Sequence, residues 1–459
     1  MPSVDRDDRP LYLSIANQIA RALQAGSLAP GTRLPTHRDL ADRLGISIHT
    51  VSQAYAEAER RGLVAGEVGR GTFVRRLAEV PEAAFILDRR SEELIDLSIN
   101  RPIYDELHAE RVRAVLAELG RADDQAALLV CRPIGGLDGH RMAGAEWLRR
   151  RDIRVDAERV LICNGVAHGM LVALSTLTRP GDLVLTEMLT DHGLIGLSQI
   201  LHFRLEGLPV DSEGLLPGPL AAACAAGGAK ALCITPCLAN PTGTTMSSER
   251  RREIAAIARR HRIPVVENDV YGMLPRRTPP PFWTFLPEQT YYLTSMTKCL
   301  MSGLRTGYLV APERAIAALV RSIRASSWMA TPLVAEIATR WIADGTAEEL
   351  AAWQREQLAA RHRIADRRLA GLDYRHHPHS LHLWLHLPEG WRAEALVSEA
   401  RLRGVAITPA APFTVGRDAI DDAVRISLGG ASSASGVERG LARLVEIMRR
   451  RGEPFYMPT

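Results

Sequence analysis

Apolar side chains recur at helical spacing at Leu11, Ile15, Ile19 and Leu23. This predicts a helix from about Leu11 to Ala25, broken by Gly26 and the Pro30-Gly31 pair. A second, shorter helix fits Thr36 to Leu44, with Thr36 as N-cap and Leu40 and Leu44 turned inward. Gly45 makes the turn. Ser47 then caps a third helix carrying Val51, Ala54, Tyr55 and Ala58. After Gly62, the segment LVAGEVGRGTFV alternates around glycines, as a two-stranded hairpin does. Three helices and a hairpin within about 65 residues make a winged helix-turn-helix, assigned to residues 1–75.

Residues 76–93 mix charges without periodicity and read as a linker. From about Leu94 the pattern changes. The apolar runs RVLIC, DLVLTE, KALCIT, IPVVEN, YYLTS and GYLVAP alternate with helical segments. Runs apolar on both faces are read as buried parallel strands, which gives an α/β domain with helices over both sides of its sheet. After Pro312 the pattern is helical through about Leu372. A smaller α+β part follows, with strands near 381–387 and 424–428. The expected division is a large part at about 110–330 and a small part at about 331–459.

A chain of 459 residues, 46% of them hydrophobic, is long enough for two to three domains with sizeable cores. Its net charge of +4 excludes a general nucleic-acid coat. Six cysteines at 131, 163, 224, 233, 237 and 299 show no paired framework, which points to a reducing compartment. The polar start MPSVDRDDRP is no signal peptide, and no apolar run reaches the roughly 18 residues that cross a bilayer. The expectation is a cytoplasmic protein without a membrane segment.

Of 57 basic residues only Lys230 and Lys298 are lysines. Arginine supplies plain positive charge throughout, so a lysine inside a motif raises a chemical question. Arg stays protonated, whereas a Lys amine becomes a nucleophile once its pKa is lowered.

A helix-turn-helix reads DNA with the start of its second helix in the major groove. Here that start is Ser47, Ile48, His49 and Thr50, with Arg38 on the preceding helix and Arg70 at the hairpin tip, in reach of the minor groove. The segment LPTHRDLADRLGISIHTVSQAYAEAERRGLVAGEVGRGTFV resembles the GntR family of winged-helix regulators almost throughout. The resemblance implies a double-stranded DNA operator as partner. His37 and His49 depart slightly from the family pattern and are candidates for tuning operator choice.

A second constellation spans the α/β half: ANPTG (Ala239–Gly243), ENDVYG (Glu267–Gly272), SMTK (Ser295–Lys298) and GLRTGY (Gly303–Tyr308), each at or just after a strand end. Ligands of open α/β sheets bind at the carboxyl ends of strands, so these segments can converge. Their chemistry fits pyridoxal phosphate. The Lys298 amine forms a Schiff base with its aldehyde. Asp269 holds the pyridine nitrogen protonated, and Asn240 and Tyr271 suit the ring hydroxyl. Ser295, Arg305 and the backbone N–H groups at Gly165, Val166 and Ala167 suit the phosphate.

From about residue 94 to its end the chain resembles fold-type I aminotransferases. The resemblance assigns the cofactor lysine to Lys298 and gives Asn240, Asp269, Tyr271 and Arg305 their family counterparts. It makes Arg425, in VRISL, the arginine for a carboxylate. A GntR domain ahead of such a domain is similar to the MocR class of regulators, and implies a homodimer that senses an amino compound or the cofactor. Two positions depart. CRPIGG carries Cys131 where the family has a tyrosine that reaches the partner subunit's cofactor. EMLTDHG carries Asp191 where an aromatic stacks on the ring, which leaves His192 or His168 to stack.

The histidine-rich RHHPHSLHLWLH reads as a strand face and a turn, with no acid or cysteine to complete a metal site. The arginine runs at 149–151, 250–252 and 449–451 read as solvated helix ends. Two functions stay open: a regulator whose amine effector acts at the cofactor, and a working transaminase with an accessory DNA-binding domain. A regulator without cofactor is a third.

Overall fold

The computed structural model describes residues 11–12, 15, 18–19, 22, 32–60, 64–67, 71–74, 94–122, 126–129, 131–416 and 422–450. Arg70 and the linker at 76–93 lie outside the described residues. The chain divides into two compact units, Met1–Arg89 and Arg90–Thr459.

In the first unit the described residues between 11 and 22 are helical. Helix α1 (His37–Leu44) starts where the Thr36 hydroxyl accepts from the Asp39 N–H at 3.2 Å. It stops at Gly45, whose φ of 65° sits in the left-handed region that a helix end needs. Helix α2 (Ile48–Arg60) follows at once, its first turn held by the Ser47 hydroxyl, which accepts from the Thr50 N–H at 3.0 Å. Val51, Tyr55 and Ala58 bury one stripe of α2 against Leu34, Ala41, Val64 and Val74. Strands β1 (Val64–Glu67) and β2 (Gly71–Val74) pair antiparallel as the wing, and Arg33 bridges to Phe73 on its free edge.

The second unit is built on a seven-stranded sheet. Its parts, in chain order, begin with α3 (Asp138–Leu148), β3 (Val160–Cys163) and α4 (Gly165–Leu177). Then come β4 (Leu183–Glu187), β5 (Arg204–Leu208), β6 (Ala229–Ile234), β7 (Val265–Asn268), β8 (Thr290–Ser295) and β9 (Gly307–Val310). The spatial order is β3-β9-β8-β7-β6-β4-β5. All neighbours pair parallel except β9, which runs antiparallel to both β8 and β3. GYLVAP therefore departs from the parallel expectation. An apolar run buried on both faces carries no sign of its direction. The edge strand β5, with the alternating exposure of RLEGL, is an addition to the runs expected from sequence.

Met170, Val172, Leu174, Tyr292, Tyr308 and Trp341 belong to one large core, and Ile254, Ala258 and Phe282 to a second cluster. Helices α5 (Glu313–Ser327), α6 (Pro332–Ala343) and α7 (Thr346–Arg368) follow. Ala335, Trp341, Leu350 and Leu358 still belong to the large core, whereas Ala365 and Leu369 join the small one. The large part thus extends past 331, into α7. In the small part, β10 (His382–His386) pairs antiparallel with β11 (Ala423–Ser427), under α8 (Ala434–Arg450). Residues 95–96 pair with Val405–Ala406, so the opening segment of the second unit belongs to the small part. Among the described residues no helix is long and apolar enough to cross a membrane.

Candidate functional site

The carboxyl ends of β6, β7 and β8 and the N-terminus of α4 converge around Lys298, in the turn after β8. Its Nζ donates to the backbone carbonyl of Asn100, a residue the sequence gave no reason to choose. Asn100 organises this corner. Its Nδ2 donates to the Tyr271 hydroxyl at 3.0 Å and lies 3.2 Å from Nδ1 of His382. His382 Nε2 faces the Ala239 carbonyl at 3.1 Å. A carbonyl only accepts, so Nε2 carries the proton and Nδ1 accepts from Asn100. Burial, then Arg425, pushes His382 down to about 3 and keeps it neutral.

Asn240 is held on both sides. Its Nδ2 donates to Asp191 at 2.6 Å, and its Oδ1 accepts from Arg425 at 2.8 Å. Arg425 also donates to the Ser98 carbonyl and lies 4.8 Å over the Phe413 ring. Its Nε is buried without a partner. Burial alone would raise the Asp191 carboxyl, but His192, the Asn240 amide, the Gly193 N–H and Lys298 bring it below its ordinary value. Asp191 thus places a carboxylate where the resemblance expects an aromatic face. Of the rings proposed to stack, His168 is tied to the Asn164 N–H and the Ser326 hydroxyl, and His192 packs edge-on to Phe413.

Arg305 approaches the start of α4 closely: a side chain at Gly165 would stand 3.0 Å from its Nη2. Gly165, Val166 and Ala167 form the first turn of α4, and no side chain caps it, so its N–H groups are free for an anion. Ser295 Oγ lies 2.6 Å from the Thr297 hydroxyl.

Asp269 departs from the expected role. Its Oδ2 accepts from Arg151 Nε at 2.7 Å and from the Tyr292 hydroxyl at 2.6 Å, and both partners are buried. Arg151 in turn lines a cavity of about 660 Å³ with Arg150, Arg276, Arg277 and Arg355. The carboxylate is committed to this buried ion pair. Two of the arginine runs, at 149–151 and 250–252, each bury one member where a solvated helix end is expected. Arg151 is 3% exposed, and Arg251, fully buried, donates to the carbonyls of Met246, Pro236, Pro279 and Pro280.

A lysine amine held beside two arginines, an uncapped helix N-terminus and a buried tyrosine hydroxyl are what a phosphorylated aldehyde would bind. Residues 92–444 match the model of aminotransferase class I and II. The chain belongs to that family. Residues 11–74 match the gntR family of bacterial regulatory proteins. The HTH-type transcriptional regulator YdeF of Bacillus subtilis is 28% identical over 97% of this chain and 96% of its own length. The pyridoxine biosynthesis regulator PdxR of Corynebacterium glutamicum is 26% identical over 65% of each chain. In fold, the chain is similar to the kynurenine aminotransferase of Pyrococcus horikoshii, with a TM-score of 0.75 at 21% identity over 83% of this chain and 96% of that one. The protein is a GntR-type regulator fused to an aminotransferase domain, and pyridoxal phosphate is the cofactor of that domain.

The residues present fit the group at its aldehyde, hydroxyl and phosphate ends: Lys298, Tyr271 with Asn240, and Ser295 and Arg305 with the α4 turn. When bound, it supplies an aldehyde that captures amines and a ring that withdraws electrons. Lys298 is prepared for capture. Burial lowers its amine to about 8, against the pull of Asp191 and with the help of Arg425 and Arg305. Only the unprotonated amine attacks, so the rate of cofactor uptake by cofactor-free protein rises with pH and levels off above about 8. Stopped-flow absorbance measures this, and a rate still climbing into the range of an ordinary lysine would contradict it.

On the first unit, Arg38, Ile48 and His49 are exposed and Thr50 is half-buried. The Ser47 hydroxyl lies 2.8 Å from that of Thr50 while capping α2, so its first duty is structural.

Proposed function

We propose that the protein is a MocR-class regulator, a cytoplasmic homodimer that changes its hold on a DNA operator when an amino compound reaches the cofactor at Lys298. The observation that supports this most is Lys298 itself. It is one of two lysines in the chain, lowered to about 8 and set beside Arg425, in the same polypeptide as an exposed DNA-reading helix. Arg38, Ser47, His49 and Thr50 bind operator bases and phosphates, joined by Arg70, which the sequence alone assigns to DNA contact. Arg425, with one buried nitrogen unpartnered, takes a carboxylate of the effector. Two-fold symmetry matches paired half-sites.

The test is fluorescence anisotropy of operator DNA with cofactor-loaded protein against a panel of amino acids and amines. At least one compound should shift the affinity about 5- to 150-fold, the range of ordinary allosteric coupling. Unchanged affinity across the panel would count against the reading. Sustained oxo-acid production with an amino acceptor would favour a working transaminase.

A further inference from the structure

The parallel register of β7 and β8 sets Asn268 beside Leu293 and Glu267 beside Tyr292. Side chains alternate along a strand, so Asn268 and Leu293 share one face. That face is the one α4 covers, because a Cβ on Gly169 of α4 would run into Leu293. Gly307 gives the same answer. It stands beside Ser295 in the β8–β9 register, and a Cβ there would meet the Gly165 backbone at 2.8 Å. Asn268, Leu293 and Ser295 therefore look toward the α4 N-terminus, where Arg305 sits.

The ladder continues one residue further, with the Asp269 N–H donating to the Leu293 carbonyl at 2.8 Å. The next side chain swings to the opposite face. There Asp269 meets Tyr292 and Arg151, whereas the charges acting on Lys298 are Asp191, Arg425 and Arg305. Asn268 is 6% exposed, and its Oδ1 accepts from the Val270 N–H at 3.3 Å. This orients the amide so that Nδ2, which has no hydrogen-bond partner among the described residues, is free to donate.

We propose that Asn268, not Asp269, faces the ring nitrogen of the cofactor and keeps it unprotonated. The inference rests on the cofactor-bound regulator proposed above. An amide N–H donates to a pyridine lone pair, whereas a protonated nitrogen would need an acceptor, and Oδ1 is turned toward the Val270 N–H. A neutral ring withdraws electrons weakly. Lys298 then still exchanges amines, but the α-proton of a bound amine is poorly acidified. Such a site recognises amines without consuming them, which is what a sensor needs.

The experiment is ¹⁵N NMR of the full-length protein loaded with cofactor labelled at the ring nitrogen. The wild type should show the neutral-pyridine resonance across neutral pH. Asn268→Asp should move it upfield by tens of ppm, into the pyridinium range, and Asp269→Asn should leave it in place. A pyridinium resonance in the wild type overturns the proposal, whether or not either variant folds. A protein that retains no cofactor, seen as loss of visible absorbance after desalting, overturns the regulator reading and this proposal together.

Discussion

Lys298→Ala is expected to abolish the visible band of covalently held cofactor and to leave operator binding deaf to every amine. Among the described residues the pocket offers no other amine. The only other lysine, Lys230, is exposed at the start of β6, and the arginines around Lys298 stay protonated. The cradle at Arg305 and the α4 turn remains, so weak, reversible cofactor binding survives without attachment. The change removes a buried cation that Arg425 and Arg305 repel and Asp191 attracts, and Asp191 keeps its bonds from the Asn240 amide and the Gly193 N–H. The folded state should persist and the operator should still bind. Absorbance after desalting and anisotropy with the effector read the two halves separately. A variant that still answered the amine would place the sensor away from Lys298.

The sequence carried the first unit almost whole, because caps and turns announce themselves chemically. Thr36, Gly45 and Ser47 each do the local work their residue types suggest. In the second unit the strand-end motifs located Lys298, Asn240, Tyr271 and Arg305. Three features were not legible. The direction of β9 has no periodicity signal. Asn100 and His382 act through contacts 171 to 282 residues apart in sequence, which no local pattern records. In the sequence, Asp269 stands out as the acid nearest Tyr271. Which of two adjacent residues faces the pocket is decided by the pleat, and a shift of one position reverses it. Arg151 was hidden in the same way. A run of three arginines looks solvated, yet the turn after α3 buries the last of them.

Arg151→Met should destabilise the second unit by about 3–5 kcal/mol, the cost of stranding a buried charge. Asp269 is fully buried and its Oδ1 already lacks a partner, so losing Arg151 leaves only the Tyr292 hydroxyl to hold the carboxylate. Asp269→Asn strands the guanidinium instead, whose remaining contact is the Pro279 carbonyl at 3.4 Å. The double variant has no unpaired charge. It should be more stable than the sum of the single losses predicts, with a coupling of about 2–3 kcal/mol in urea unfolding. Additive losses would mean that the two side chains do not act as a pair. The same proteins bear on the cofactor. The ion pair lies on the face of the sheet away from Asn268, so the double variant should keep the absorption band of attached cofactor at its wild-type position. Stability would then depend on Asp269 while the state of the ring did not, which separates a carboxylate that holds the sheet together from one that drives the chemistry.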